Sequence, residues 1–272
     1  MPELPEVELA RGYLEAAVLC QPIEEVLVED ERILSRITPA EIERHLAKKS
    51  FRSVQRHGKR LFLELDGRLW LTIHLGMTGR LIYLQKGEDE PAHTRLLLRF
   101  QNGFCLAFDD LRIFGEAGLT ASPSSFLAEA KTGPDALQVD REGFAEIMRG
   151  RRGAIKSLLL NQRLVSGIGN LYADEALFQA GIHPQSRGLN ELQLGRLHTT
   201  IQEVLRTSIS VQADFSRLPD SYLLRHRHPG GLCPRGGTLL KHEKLGGRTS
   251  YYCPEHQRPF DHKHLSDYRP AH

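Results

Sequence analysis

Two stretches of alternating apolar residues constrain the fold of this chain more than any other feature of its sequence. In the first, leucines occupy every second position up to the pair Asp66-Gly67, and the alternation resumes over residues 69–73. The second stretch has the same pattern around Asn102-Gly103. Alternation directs apolar side chains to one face of a strand, and Asp-Gly or Asn-Gly between two such runs is typical of a tight hairpin. The sequence therefore predicts antiparallel sheets with one buried face.

A helix is expected ahead of these strands, over residues 5–19. Pro5 suits a first helical turn, and Pro22 closes the segment. Apolar side chains recur at helical spacing on one face, at Val7, Ala10, Leu14 and Val18. Together with the hairpins, this pattern predicts an antiparallel β-sandwich flanked by a helix.

The character of the sequence changes after residue 115. Residues 120–136 are rich in Ser, Pro, Gly and Ala, which is typical of a linker. Helical periodicity runs over 141–225, and the Gly- and His-rich segment that follows predicts a small β-hairpin with Cys233 and Cys253 near its ends. We expect an α+β fold organised as a β-sandwich domain 2–119, a linker 120–136, a helical domain 137–225, a hairpin element 226–262 and a tail 263–272.

Composition excludes some functional classes and leaves others open. The chain has 272 residues, with 36 basic and 34 acidic side chains, so its charge alone does not identify a nucleic-acid binder. No apolar run approaches membrane-spanning length, and the N-terminus lacks the apolar core of a secretory signal. Four cysteines in such a chain make no disulfide framework, so we expect a reducing cytoplasm, with Cys20 and Cys105 as small core residues.

Residue 2 gives the chain a candidate nucleophile. Because Pro2 is small, we expect the initiator Met to be removed, which leaves a secondary amine at the N-terminus. An α-amino group titrates near about 7.7–8.0, against about 10.4 for lysine, so part of it is neutral at pH 7. A neutral amine can attack carbon and form a Schiff base, and Glu3 and Glu6 stand ready for proton transfer. The alternative is an ordinary helix start whose acidic residues complement the helix dipole.

Six segments, in order along the chain, resemble motifs of the formamidopyrimidine-DNA glycosylase / endonuclease VIII family. They are similar to its N-terminal signature, its lysine loop, two further motifs, its helix–two-turn–helix and the second half of its zinc finger. The segments are PELPEVE at 2–8, HGKRLFLELD at 57–66, HLGMTGRL at 74–81, DDLRIFG at 109–115, SGIGNLYADEALFQAGIHP at 166–184 and GGRTSYYCPEHQ at 246–257. Each alone is weak, but six in one order argue against chance.

The resemblance implies a chemistry. Pro2 would attack C1′ of a damaged nucleotide in double-stranded DNA, displace the base as a glycosylase, and nick the strand by β,δ-elimination as an AP lyase. Glu3 would assist ring opening and proton transfer, with Glu6 supporting it. Lys59 would contact the phosphates of the lesion, within a basic patch formed by Arg56, His57 and Arg60. A monomer without a redox or nucleotide cofactor is implied.

The resemblance also implies contacts with the DNA backbone. His74 and Asn170 would hold the backbone beside the flipped nucleotide, and Arg248 would be the finger arginine that grips the same phosphates. Pattern alone gives each a plainer interpretation: a strand histidine, a helix N-cap and a hairpin-turn arginine. For Asn170 the two interpretations are compatible, because helix N-termini bind phosphate.

Three further residues resemble the family's set that fills the gap left by a flipped base. Met77 and Phe114 would wedge into the stack, and Arg112 would hydrogen-bond the orphaned base. The alternative for Met77 and Phe114 is core packing. An arginine at 112 resembles the oxidised-purine branch of the family, because it suits cytosine opposite the lesion.

The resemblance weakens at the zinc finger. The family pattern pairs two C-x₂-C motifs, but here Gly236 stands where the second cysteine belongs and His256 replaces the fourth. Cys233, Cys253 and His256 remain as candidate ligands of a structural Zn²⁺, which wants four. The fourth ligand could be water, or the hairpin could be a zincless finger held by packing. Nearby histidines are also candidates, namely His228, His242 and His262.

A second departure concerns the damaged base. Cys233 follows Ser208 by only 25 positions, so the loop that closes over the extruded base in oxidised-purine members is shortened or absent. The expected substrates are oxidised or otherwise damaged bases, purines first. Formamidopyrimidines, oxidised pyrimidines, hydantoins, abasic sites and deaminated purines all remain open. The main alternative is a catalytically weak protein of the same fold that binds damaged DNA or abasic sites. An RNA-associated protein sharing only the helix–two-turn–helix is a third hypothesis.

Overall fold

The structure, a computed structural model, describes residues 1–259 of the chain. The chain divides into two compact units, Met1–Lys131 and a second that begins at Thr132. The predicted tail 263–272, the last residues of the predicted hairpin element and His262 lie outside the described residues. No helix in the described part is both long enough and apolar enough to cross a membrane.

The first unit is a β-sandwich of two four-stranded antiparallel sheets. One sheet has the order β1-β6-β7-β5 and the other β2-β3-β4-β8. Its strands are β1 (Ile23–Val28), β2 (Phe51–His57), β3 (Arg60–Leu65), β4 (Trp70–His74), β5 (Arg80–Leu84), β6 (Thr94–Phe100), β7 (Cys105–Asp109) and β8 (Glu116–Thr120). Its helices are α1 (Leu4–Ala17), α2 (Pro39–Leu46) and α3 (Pro123–Glu129).

Both predicted hairpins are confirmed. β3 pairs with β4 from Glu64↔Trp70 to Arg60↔His74, and β6 pairs with β7 around the Asn102-Gly103 turn. The apolar faces of the two sheets share one core, which also takes up the buried face of α1. Representative members from the two sheets and from α1 are Val26, Leu98, Phe108, Val54, Leu63, Leu71, Val7 and Leu14. The predicted sandwich with its flanking helix is therefore present.

Two details in this unit differ from the sequence predictions. The segment predicted as a linker contains helix α3 in its first half, because Ser122 caps the helix by accepting the Ser125 N–H and a proline follows it. Cys20, expected in the core, is exposed in a turn with φ of +58°. Its apolar neighbours Val18 and Leu19 pack inward and leave the thiol outside.

The second unit is helical and ends in a hairpin. Helices α4 (Arg141–Met148), α5 (Ile155–Leu159), α6 (Asn170–Ala180) and α7 (Glu191–Ser210) precede strands β9 (Lys241–Leu245) and β10 (Arg248–Tyr252). The two strands are antiparallel, and Gly246 and Gly247 supply the positive φ values, +57° and +77°, of their tight turn. Gly169, and not Asn170, is the N-cap of α6, so that interpretation of Asn170 is wrong by one residue.

The segment between α7 and β9 is anchored at one point, its second 3₁₀ turn. It forms two single 3₁₀ turns, Phe215–Arg217 and Leu223–His226. Leu223 and Leu224 donate their N–H groups to the two carboxylate oxygens of Glu175 on α6, at 3.2 and 2.8 Å. Burial raises the pKa of Glu175 to about 7, although hydrogen bonds from Gln179 and these N–H groups oppose the shift. The segment is thereby fixed to the helix that follows the two-turn motif.

Candidate active site

The start of helix α1 presents Pro2 and buries Glu3. Glu3 is the N-cap of α1, has extended backbone and is fully buried. Its carboxylate accepts the backbone N–H of Glu6, and the Glu6 carboxylate accepts the N–H of Glu3 at 2.9 Å. This reciprocal capping box satisfies two of the N–H groups that a helix start leaves unpaired. Pro2, half-buried, therefore lies directly ahead of a well-defined helix N-terminus.

Lys59 lies in the two-residue turn between β2 and β3, and an ion pair ties this turn to α1. Arg56 Nε lies 2.7 Å from a carboxylate oxygen of Glu8, and Arg56 Nη1 donates to the Gly58 carbonyl at 3.0 Å. Because the Arg56 side chain is only 4% exposed, this pair is shielded from solvent. The same helix that begins beside Pro2 thus holds the Lys59 turn in place.

The basic patch expected around Lys59 is only partly present. Arg56 is paired with Glu8, and Arg60 is paired with Glu116 at 2.6 Å and stacks on the Phe126 ring. Both guanidinium groups are paired with carboxylates of this unit, and the expectation that they add charge for a phosphate stays a prediction.

His74 ends β4 and lies between two charged neighbours. It pairs with Arg60 on β3 and with Glu116 on β8. The Gly76 N–H donates to its Nδ1 at 3.2 Å, which places the ring proton on Nε2. Burial lowers the pKa of His74 to about 4, and the positive charges of Arg60 and Lys59 add to this effect against Glu116. The ring is therefore a neutral donor at physiological pH, which is what a phosphate contact requires.

Asp110 joins the two loops that carry the predicted gap-filling residues. Its fully buried carboxylate accepts the Thr78 hydroxyl at 2.5 Å, the Arg112 N–H at 3.2 Å and the Gly115 N–H at 2.7 Å. Burial alone would raise the pKa of Asp110, but these hydrogen bonds, with one from the Phe114 N–H, outweigh it and lower the pKa. A charged carboxylate thus organises both loops.

The loops also touch through their backbones, which brings Met77, Arg112 and Phe114 together. Gly76 has φ of +60°, and a Cβ there would lie 2.3 Å from the Phe114 carbonyl carbon, so only glycine permits this approach. The Arg112 guanidinium lies 4.8 Å from the centroid of the Phe114 ring. Met77 is 39% and Phe114 51% exposed, so the alternative of core packing is wrong for both.

A strained residue separates Arg112 from Phe114. Ile113 has φ of +56°, which is uncommon for a β-branched residue and costs about 1–3 kcal/mol. Its side chain packs against the sandwich core, while Phe114 and Leu111 remain exposed. Leu111, 57% exposed, is a loop residue that sequence reasoning missed. Its position inside DDLRIFG was the available signal, but exposure cannot be deduced from the motif.

In the second unit, Asn170 and Arg248 are brought together through one carbonyl group. Asn170 Nδ2, at the start of α6, donates to the carbonyl of Thr249 at 3.1 Å. Arg227 Nη2 donates to the same oxygen at 2.9 Å and Lys156 Nζ at 3.4 Å. Arg248, exposed, is the residue immediately before Thr249 and the first of β10. The hairpin turn that carries Arg248 is thereby fixed to the N-terminus of α6.

A buried charge cluster around Asp174 supports this arrangement, and sequence reasoning missed it. Its carboxylate lies 2.5 Å from Lys156 Nζ and accepts Arg227 Nε at 2.9 Å. It also accepts the Ser250 hydroxyl at 2.8 Å and the Tyr251 N–H at 3.1 Å. The side chains of Asp174 and Lys156 are 0% exposed. Two adjacent acidic residues, Asp174 and Glu175, within the apolar helix segment ADEALF were the available signal.

The candidate zinc ligands do not assemble into a metal site. Cys233 and Cys253 are buried side by side, but the His256 imidazole packs edge-on against the Phe178 ring, with centroids 5.1 Å apart. Its Nε2 lies 3.0 Å from the Phe178 carbonyl oxygen. Among the described residues, no group of three His, Cys, Asp or Glu side chains is placed to share one metal ion. The arrangement of Cys233, Cys253 and His256 therefore does not fit a structural zinc site.

The other histidines proposed as a fourth ligand are engaged elsewhere. The His228 Nδ1 lies 3.0 Å from the Pro229 carbonyl oxygen, and the His242 ring stacks on Tyr251 with centroids 5.3 Å apart. His262 lies outside the described residues.

The pKa of His74 gives a first prediction. Histidine in an unfolded chain has a pKa of about 6.5. Between that value and about 4 the unfolded state binds the extra proton, so the stability from the neutral ring is present above 6.5 and lost as the pH falls through 4. In imidazole ¹H–¹⁵N spectra, with His74→Gln used for assignment, we expect the Nε2–H tautomer and a midpoint near 4. A midpoint near 6.5 would contradict this geometry.

The Asp174 cluster gives a second prediction. Asp174→Ala leaves Lys156 buried without its carboxylate, which should cost about 3–5 kcal/mol of unfolding free energy. Asp220→Ala is the matched control, because Asp220 is 95% exposed in its pair with Arg225 and its loss should cost under about 1 kcal/mol. Urea unfolding should be followed by circular dichroism, since the single tryptophan, Trp70, lies in the other unit. Equal losses would show that the cluster is not important for stability.

Comparison with known proteins shows which family the two units of the chain match. Residues 1–117 match the family model of the formamidopyrimidine-DNA glycosylase N-terminal domain, and residues 132–220 match that of the formamidopyrimidine-DNA glycosylase H2TH domain. The formamidopyrimidine-DNA glycosylase of Arabidopsis thaliana is 34% identical over 100% of this chain and 75% of its own length. That of Pelobacter propionicus is 36% identical over 95% of this chain and 100% of its own.

Solved structures agree with the sequence matches. A Lactococcus lactis enzyme mutant in complex with Fapy-dG-containing DNA superposes with a TM-score of 0.85 and 29% identity, over 94% of this chain and all of its own. The Lactococcus lactis formamidopyrimidine-DNA glycosylase bound non-covalently to AP-site DNA gives 0.85 and 28%, with the same coverage. With both family models matched in chain order, this chain belongs to the formamidopyrimidine-DNA glycosylase family.

Proposed function

We propose that this chain is a base-excision-repair DNA glycosylase with AP lyase activity, which uses the amine of Pro2 as its nucleophile. The observation that carries the proposal is the position of Pro2, directly ahead of helix α1, beside the fully buried carboxylate of Glu3. Removal of Met1 converts Pro2 into a secondary amine. The helix N-terminus, with its partial positive charge, disfavours protonation of that amine and so favours the nucleophilic form.

In the proposed reaction the lone pair of the Pro2 nitrogen forms the bond to C1′. The glycosidic bond breaks with its electron pair passing to the base, which takes up a proton and leaves. The amine loses its proton and the sugar ring opens, which gives a Schiff base at C1′. Loss of a proton from C2′ then expels the 3′-phosphate, and a second elimination expels the 5′-phosphate. Glu3 would move protons at the sugar, and the Glu6 carboxylate, which accepts the Glu3 N–H, would support it.

The rest of the first unit supports a DNA substrate. Neutral His74 offers an Nε2–H donor, and Lys59 a cation, both suited to phosphate oxygens. Met77 and Phe114 offer exposed apolar side chains of the kind that enter a base stack, and Arg112 offers donors for an unpaired cytosine. In the second unit, Asn170 at the start of α6 is bonded to the carbonyl of Thr249, the residue after Arg248, and helix N-termini bind phosphate readily.

The damaged base is the least constrained part of the proposal. Within residues 211–231, Glu175 fixes the 3₁₀ turn Leu223–His226 to α6, which shortens the stretch that could close over an extruded base. We propose damaged purines, with formamidopyrimidines first, because one structural relative is complexed with Fapy-dG DNA. Monomeric state and cytoplasmic location remain predictions. A binding protein without turnover is the competing function.

Covalent trapping tests the nucleophile. Borohydride reduces a Schiff base to a stable amine, so incubation with abasic-site DNA should yield a protein–DNA adduct through residue 2. Pro2→Gly should lose most of this adduct, because a primary glycine amine lacks the fixed geometry of the proline ring. Intact-mass spectrometry, which also reports whether Met1 is removed, should locate the adduct on the N-terminal peptide.

Pro39→Gly is the matched control for trapping. It makes the same substitution at the first residue of α2, another helix of the first unit. Its adduct yield should equal that of the unmodified chain. Equal adducts from Pro2→Gly and Pro39→Gly would assign the covalent step to another amine, and adduct-free binding by the unmodified chain would favour the non-catalytic alternative.

The exposed loops give a further prediction. Phe114→Ala should slow nicking of an abasic site in duplex DNA by about tenfold or more, because inserting an apolar wedge offsets an unstacking cost of a few kcal/mol. It should leave the melting temperature nearly unchanged, since the ring is half exposed. Nicking of the same site in single-stranded DNA should change less. Leu192→Ala removes an apolar side chain that is even more exposed and is the control; a similar loss there would contradict a specific wedge.

A further inference from the structure

We propose that the terminal hairpin of this chain is a metal-free finger, and that Arg235 clamps it where a family member would use zinc. Arg235 follows Cys233 by two positions, next to the glycine that replaces an expected cysteine ligand. Its guanidinium donates to Nε2 of His256 at 2.7 Å and to Oε1 of Gln179 at 2.5 Å. It also lies over the Phe178 ring, 5.1 Å from the centroid. One side chain thus connects both ends of the finger to helix α6.

The position of this guanidinium opposes a cation at His256. Nε2 of His256 either accepts from Arg235 or, when it carries the proton, donates to the Phe178 carbonyl, so in neither tautomer does it direct a lone pair at the cysteines. A divalent ion bound there would lie within a few ångströms of a permanent positive charge, which is repulsive at short range. His256 approaches Cys253 through its backbone N–H instead, at 3.4 Å from Sγ. The His256 ring therefore packs edge-on against Phe178, in place of the metal contact that a cysteine would make at this position.

The two cysteines behave as small apolar residues in this arrangement. Cys233 and Cys253 are 3% and 1% exposed and belong to one apolar cluster with Phe178, Leu223 and Tyr251. Free cysteine packs readily in such surroundings as a protonated thiol. Zinc binding would require both as thiolates, with only two sulfur ligands to compensate the ion.

Hydrogen bonds already shape both loops that would have held the metal. The Cys233 N–H donates to the Thr238 carbonyl at 2.7 Å, and the Gly237 N–H returns to the Cys233 carbonyl at 2.8 Å. In the second loop the Cys253 N–H donates to Oε1 of Gln257 at 3.0 Å. Gln257 in turn donates from Nε2 to the Ile182 carbonyl at 2.9 Å, just past the end of α6. Both loops are therefore closed by groups that the chain itself supplies.

Metal content tests the proposal without reference to DNA repair. Protein prepared in zinc-supplemented medium and dialysed should contain well under one zinc ion per chain, measured by elemental analysis and by dye-detected release on denaturation. A chelator should leave its melting temperature unchanged. The Gly236→Cys, His256→Cys double variant restores a four-cysteine spacing and serves as the positive control for zinc retention. One zinc ion per chain retained by the unmodified protein would overturn the proposal.

The clamp is tested by Arg235→Met, which keeps an unbranched apolar stem and removes the charge and donors. Amide hydrogen exchange over residues 233–240 and 248–253 should accelerate at least tenfold, equivalent to about 1.4 kcal/mol of local opening. Exchange in the first unit should not change. Arg258→Met, at an exposed arginine on the same element, should leave all these rates unchanged. Unchanged exchange in Arg235→Met would show that Arg235 does not hold the finger.

Discussion

The cost of burying a carboxylate is the constraint on which this structure depends most. A buried acid is tolerated only when donors satisfy its oxygens, so each one dictates the geometry of the groups around it. Several carboxylates among the described residues are at most 1% exposed, and four of them accept backbone N–H groups from segments that they hold in place. These are Glu3 at the start of α1, Asp110 between the loops that carry Met77 and Phe114 (the wedge loops), Asp174 beneath the Arg248 turn and Glu175 beneath the segment 223–226.

This arrangement separates positioning from contact. The residues proposed to meet DNA are exposed or half-exposed, whereas the acids that orient them lie in the interior. Ile113 shows the same division within one loop, because its strained backbone is held by core packing while Phe114 beside it stays exposed. Strain and exposed apolar surface both reduce stability, and they persist at sites where binding requires them. The wedge loops therefore have the character of a functional surface.

The terminal hairpin is also held by a charged side chain, but here the charge is positive. In the absence of a fitting donor set for zinc, an arginine stacked on Phe178 and bonded to His256 joins the hairpin to α6. The cluster around Asp174 holds the other side of the hairpin through the Thr249 carbonyl and the Tyr251 N–H. Arg248 is thus carried by a turn that is fixed at both ends. This explains how a finger with a glycine in place of a ligand can keep its arginine in register with Asn170.

The sequence by itself determined the sandwich, both hairpins of its sheets, the helix–two-turn–helix and the family, because these follow from local periodicity, turn chemistry and ordered motifs. It also placed Pro2 and Glu3 at a helix start and grouped Met77, Arg112 and Phe114. It did not reveal Leu111, the Asp174 cluster, the pairing of Arg56 and Arg60 with acids, or the exposure of Cys20. Those depend on which side chains meet across distant segments and on how far each is removed from water. Only the tertiary structure decides that, since the same charged residue costs little at the surface and needs a full set of partners in the interior.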